Sequence, residues 1–563
     1  MAILLQKGTN LETHKPKRPL NKLFLILVGC LYLFLFHLFS WQDQGQGIER
    51  YSNQITWLMT LGLLLTGVVQ ISRNKTLRYS KLTFGLSICC LLLTLPILES
   101  DANVTLALPR LCAVWLGWLL FLTLQQFGFN NKYKQRLLWF IVMSSLVGSF
   151  ISYLIIAAHY FKPSLLNHYF EQSWHTYFHY QSYSVFYMTG MLASGYLLAR
   201  RVRKYLTGFS PVILLYITPA ATLPLILKIY SPIIWLILFV SLGALFRYLI
   251  AQMTIKRLIG WTLSVLFGVI VGISVLCCAL GDTGSDNKPI DNNPLTDSIS
   301  QTTDMLIERP FTGYGYGRFT EEYVLYTARQ HALNSHFPPA IQGLTSPHSE
   351  ILSWTIDGGL IPFLAILLSV LFVLFRGYFA RKGARLATFS LLFPIVFGSI
   401  SSDILQQTHI LWITLIILLY WLDQRVTRYR KIPLSIWKMK SIQTLGIPFV
   451  LVAGMYLVLI GHNHYFYEQY RQTGSYHELS EILMPTIYKD KVLIAKIRQE
   501  LEQDESNQNV KKMLPSLLTI ITHTPTPSYY HLLIHCYTHL DEENKALQTR
   551  LEANYLFPNV TFK

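Results

Sequence analysis

The chain has 563 residues, 52% of them hydrophobic and only 14% charged. A water-soluble domain could not hide that much apolar surface, so the composition excludes an ordinary soluble enzyme and points to an all-α polytopic membrane protein. The net charge of +17 sits in short clusters between apolar runs, not in one stripe with stacking aromatics, which excludes nucleic acid as a partner.

The first element is a run from Leu23 to Ser40 behind a basic segment (Lys15, Lys17, Arg18, Lys22). It is long for a cleaved signal and no small-residue cleavage site follows, so it reads as a retained first helix. Further runs able to cross about 30 Å of hydrocarbon at about 1.5 Å per residue lie near 55–72, 82–98, 105–125, 137–158, 184–199, 211–227, 232–250 and 259–280. After a long polar interval come 359–376, 386–400, 408–422 and 444–460. The expectation is about 12–13 transmembrane helices, divided as 1–280, a large loop at 281–358, a second helical block at 359–461 and a tail at 462–563.

Charge fixes the orientation. Alternate loops carry Arg73/Lys75/Arg78/Lys81, Lys132/Lys134/Arg136, Arg200/Arg201/Arg203/Lys204, Lys256/Arg257, Arg376/Arg381/Lys382/Arg385 and the run from Arg425 to Lys440, whereas the opposite loops, such as "WQDQGQGIE" and "ESDANV", are neutral or acidic. The positive-inside rule then places the N-terminus in the cytoplasm and puts 159–183, the loop 281–358 and the tail after Gly461 outside. Cysteine carries no message: seven residues show neither a CxxC pair nor a metal-ligand spacing, so no metal and no cofactor is expected.

The large loop opens with turn formers, "GDTGSDNKPIDNNPLTD", and continues as "DMLIERPFTGYGYGRFTEEYVLY", "HFPPAIQGL" and "SPHSEILSWTIDGGLIPF". Interleaved aromatic and apolar residues predict an ordered loop on the membrane surface. The last stretch begins facing water and runs on into a span, with Leu352, Thr355 and Gly359 on the face of His348 at i+4, i+7 and i+11. The tail segment "PSYYHLLIHCYTHLDEENKALQTRLEANYLFPN" predicts two short helices resembling one tetratricopeptide-type unit. One such unit cannot bury its own face, so it should pack on the rest of the tail, on the loop or on a partner.

By position alone His348 reads as a polar helix start at the interface. Its chemistry offers more: imidazole accepts a proton near neutral pH, and a helix N-terminus disfavours its protonated form. Ser349 reads as a helix cap. Glu350 either orients His348 or makes a cap contact. Arg309, Arg318 and Arg329 lie on the outer side, where the orientation rule does not require them, and a guanidinium fork suits phosphate oxygens; the other reading is solvated or headgroup-facing residues. His331 and His336 read as loop surface, and Asp403 as a supporting acid or a turn residue.

The layout of a long outward loop with "RPFTGYGYGRF", then "HSEILSWTIDGGLIP", resembles the O-antigen ligase/O-oligosaccharyltransferase superfamily. Pro310, Gly313, Tyr314 and Gly315 fit that superfamily's Pro-x-x-Gly-aromatic-Gly element, and His348, Ser349 and Gly359 fit its His-spaced element. Pro362 departs from the Gly, Thr or Tyr that usually ends it. The extra last span, the helical tail and "YFHYQSYS" are similar to the pilin-directed protein-glycosylating (PglL-type) branch; Gln181 is kept, and Tyr183 and Ser184 stand in place of Asn-His. Lys228 in "LKIYSP" stands near the family's Ser-Arg.

The resemblance implies an enzyme of the bacterial inner membrane that moves a glycan en bloc from undecaprenyl pyrophosphate to a Ser or Thr hydroxyl of a pilin-like protein. His348 would assist deprotonation, with Glu350 beside it. Arg318, Arg309, Arg329 and Lys228 would face the pyrophosphate, and Gln181, Tyr314 and Gly315 the substrates. The nearest alternative is a ligase or polymerase acting on lipid A-core or a growing glycan. A transporter or flippase would show charges inside the spans and an internal repeat, and a non-catalytic scaffold would tolerate loss of His348.

Overall fold

The computed structural model describes residues 20–39, 47–99, 102–161, 181–200, 210–229, 231–282, 294–380, 382–426, 429–483, 487–503 and 507–562. It is a helical bundle. Among the described residues, ten helices are long and apolar enough to cross a membrane, from Asn21–Leu38 to the 38-residue Ile436–Thr473. Gln181–Ala199, Lys382–Ser401 and His409–Val426 pack among them. This is the all-α polytopic architecture expected from composition. Helix starts carry local signals: Ser80 and Thr83 form a capping box on Lys81–Thr94, and Asn103 caps Val104–Gln126 by accepting from the Leu106 amide.

The bundle core is dense around Gln181–Ala199, whose last eighteen residues are all buried. Gly195 lies against Trp261 and Leu245 there, where a methyl group would already collide. Two of the basic loops meet: Thr76–Tyr79 pairs antiparallel with Arg430–Pro433, Arg78 opposite Lys431. Those loops therefore share one face of the bundle, as the charge pattern required.

The large loop forms two helices, Pro294–Glu308 and Phe319–Leu333, before the motif helix Glu350–Gly358. The tail forms Lys489–Gln503, Asn507–His523, Pro527–His539 and Glu543–Leu556. The last two pack on each other as the paired unit expected. Loop and tail share one hydrophobic core, with Met305, Tyr323 and Ile356 from the loop and Leu517, Cys536 and Ala553 from the tail. Of the three possible seats for the tail's apolar face, two are thus used, itself and the loop. Lys491 fastens the tail to the bundle through Glu49 at 2.5 Å.

One local expectation is corrected. The motif does not run on into the span as a continuous helix: Glu350–Gly358 ends and Leu360–Tyr378 begins about Gly359, whose φ is +67°. Gly359 therefore lies at a corner, not on the helical face of His348.

Candidate active site

Two short stretches far apart in sequence lock together backbone to backbone. The Tyr314 amide donates to Ile356 O and the Gly315 amide to Asp357 O, each at 2.9 Å, and the Leu360 amide donates to Phe311 O at 3.1 Å. The approach tolerates no side chain at two positions. A Cβ on Gly313 would lie 2.6 Å from both Gly359 N and Ile356 O, and one on Gly359 would run into Phe311 O. Tyr316 ties the same loop to the bundle, with its hydroxyl on Leu93 O at 2.7 Å and its ring edge-on to Trp354.

The other end of the motif helix is held by the 400–408 turn. Ser349 accepts from the Leu352 amide as its cap and donates to Ile400 O at 2.7 Å. Glu350 is buried and accepts from both the backbone amide and the side-chain amide of Gln406, at 3.1 and 3.2 Å. Its two oxygens thus serve the turn, not His348. Burial raises the Glu350 carboxyl above the ordinary carboxylate range; Arg110 and the Gln406 donors oppose the rise, and Asp403 adds to it. Asp403 accepts from Ser346 and Gln407, so it braces the turn that carries His348. His348 is half-buried, and its imidazole makes no hydrogen bond among the described residues.

Below this turn lies an apolar slot of about 530 Å³. Glu350, Ile351 and Trp354 stand at one end, Tyr378 and Arg385 at the other, and its walls include Val114, Val370 and Leu392. From Arg385 to Ile400 the slot follows one helix for roughly 20 Å at about 1.5 Å per residue, and its mostly apolar lining suits a hydrocarbon chain.

An arginine that carries no motif lies beside the Trp354 end, against that ring. Arg110, on Val104–Gln126, donates from Nη1 to Asp357 Oδ2 at 3.2 Å, and its Cζ lies 3.7 Å from the centre of the Trp354 ring. Burial pushes the Asp357 carboxyl up to about 7, against the pull of Arg110. The sequence did hold a signal: Arg110 is a lone charge inside an apolar run, and an ionisable residue in a span marks function by default.

Residues 405–563 match the family model described as virulence factor membrane-bound polymerase, C-terminal. The C-terminal part of the chain, from Leu405, is thus similar to a membrane-bound polymerase family of the O-antigen ligase type. Among curated proteins nothing matches. This membrane-enzyme family implies ligase- or polymerase-like transfer of lipid-linked glycans. The match covers the 400–408 turn from Leu405 onward, the last spans and the tail, while the resemblance in sequence lies between 304 and 362.

The expected site residues divide into two groups. Tyr314 and Gly315 sit on the far end of the helix that begins at Glu350, directly after His348 and Ser349. Gln181 starts Gln181–Ala199; its neighbour Ser182 bonds Thr408 at 2.9 Å, which brings it to the turn holding Glu350. The loop arginines are engaged elsewhere. Arg318 pairs with Glu321 and Glu322 at 3.0 and 2.7 Å, Arg329 with Glu308 at 2.8 Å, and Arg309 lies over the Tyr314 ring at 4.9 Å. Lys228 is half-buried at the end of Ser210–Lys228.

Proposed function

We propose that this enzyme transfers a glycan en bloc from a polyprenyl pyrophosphate to a Ser or Thr hydroxyl of a pilin-like protein outside the inner membrane. The supporting observation is the half-buried His348 turn and the helix that directly follows it, whose Glu350, Ile351 and Trp354 line one end of an apolar slot. A donor whose hydrocarbon chain occupies the slot has its pyrophosphate and first sugar at the level of His348. The acceptor oxygen attacks the anomeric carbon, the bond from that carbon to the pyrophosphate oxygen breaks, and polyprenyl pyrophosphate leaves. His348 takes the hydroxyl proton, and nearby cations stabilise the departing charge. Arg318, Arg309, Arg329 and Lys228 remain candidates for that second role, as Glu350, Gln181, Tyr314 and Gly315 do for support of the substrates. The tail, sharing its core with the loop, presents a surface from which an acceptor protein reaches the site.

A second reading keeps the chemistry and changes the acceptor to lipid A-core or a growing glycan, and the polymerase family match favours it. Expression in a host supplying a lipid-linked glycan and a pilin, followed by intact-mass measurement, separates the two: glycan appears on the pilin in the first case and on lipid or lengthened glycan in the second. His348→Ala should abolish transfer while the protein still accumulates in the membrane, and a fully active variant would sink the assignment.

A further inference from the structure

Arg110 presents two unlike edges. Nη1 is committed to Asp357, whereas Nε and Nη2 are buried and have no hydrogen-bond partner among the described residues. Those two N–H groups are the parallel pair with which arginine grips two oxygens of one phosphate or carboxylate. Buried donors of native proteins are almost always satisfied, so this unpaired fork calls for a ligand.

The neighbourhood specifies that ligand. Arg110, Val114, Gly117 and Phe121 follow one another at i, i+4, i+7 and i+11 on one helix stripe, and the last three line the apolar slot. Trp354 both carries the guanidinium and lines the slot. Arg110 thus lies one helical turn beyond the slot-lining stretch of its helix and against a slot-lining ring, so an anion on its fork sits beside the end of the slot. The loop arginines contrast with this, since Arg318 and Arg329 already hold carboxylates.

We infer that Arg110 holds a phosphate of the lipid-linked donor beside the Trp354 end of the slot, through Nε and Nη2, while Asp357 on the far edge keeps the guanidinium in position. This rests on the donor reading given above.

The test uses the full-length protein in detergent and native mass spectrometry, with a polyprenyl diphosphate lacking glycan and the matching uncharged polyprenol as probes. The parent should prefer the diphosphate. Arg110→Gln should weaken diphosphate binding roughly 10- to 100-fold, the range for hydrogen bonds to a charged group, and leave polyprenol binding unchanged. Arg110→Lys, which keeps the charge and loses the fork, should fall between. Asp357→Asn breaks the same ion pair without touching the fork, so it should keep the diphosphate preference. Equal diphosphate binding by Arg110→Gln and the parent would overturn the role of Arg110 alone. Loss in Asp357→Asn as large as in Arg110→Gln would overturn it too, by reducing Arg110 to a strut. Competition by inorganic pyrophosphate at the concentration of the lipid would show a free-anion site and overturn the lipid assignment. A parent with no preference for diphosphate over polyprenol would fail the donor reading itself.

Discussion

Replacing Gly359 by alanine tests whether the two motifs are held by backbone contact rather than by side-chain chemistry. At a compatible position a Gly→Ala change stabilises by about 0.4–1 kcal/mol through the unfolded chain. Here the signs reverse. Gly359 has φ +67° and ψ −145°, a region that other residues enter at a cost of about 1–3 kcal/mol. The added methyl would also run into Phe311 O and crowd Thr312, which breaks the Leu360–Phe311 bond and releases about 0.5–1.5 kcal/mol more. The net loss should be about 2–4 kcal/mol, spent on undocking 311–315 from 356–360. Gly343 is the control: its φ is +75° with nothing within 4 Å of an added Cβ, so Gly343→Ala carries strain without collision and should cost less. Thermal denaturation and limited proteolysis of the purified variants measure this, with new cleavage expected near Phe311–Arg318 in Gly359→Ala only. A Gly359→Ala protein as stable and as protease-resistant as its parent would refute the reasoning.

Two further outcomes follow from the site. The Asp357 carboxyl titrates at about 7 in the folded protein and at about 3.9 when unfolded, so the folded state binds the extra proton in between. Its contribution to stability is therefore fully present below about pH 4 and is lost as pH rises through 7; melting temperature from pH 5 to 8 should fall less steeply in Asp357→Asn than in the parent. Filling the slot with Val370→Trp should reduce polyprenyl diphosphate binding at least several-fold while the melting temperature holds or rises, because an apolar void is being filled; unchanged lipid binding would show that the slot is not the lipid path.

Much of the architecture was legible in the residues because bilayer insertion depends on local properties. A run of apolar residues crosses, basic loops stay inside, and helix starts such as Ser80 and Asn103 carry their own caps. The paired helices at the end of the tail followed from periodicity in the same way. His348, Ser349 and the glycine motif also stand out in the sequence, since spacing and residue type mark them.

Only the tertiary structure decided how these parts meet. No local signal tells that Gly313 abuts Gly359, that Glu350 spends its oxygens on Gln406, or that Arg318 and Arg329 are taken by Glu321, Glu322 and Glu308. Nor does the apolar run around Arg110 reveal its partner, because Asp357 lies 247 positions away and reaches it only when the corner at Gly359 turns the motif helix onto the bundle. The sequence by itself thus determined a many-span helical protein with a histidine motif on its large loop, since hydropathy, charge and caps act over a few residues. The slot, the free fork of Arg110 and the shared core of loop and tail arise from helices packing across long separations, and that packing exists only in three dimensions.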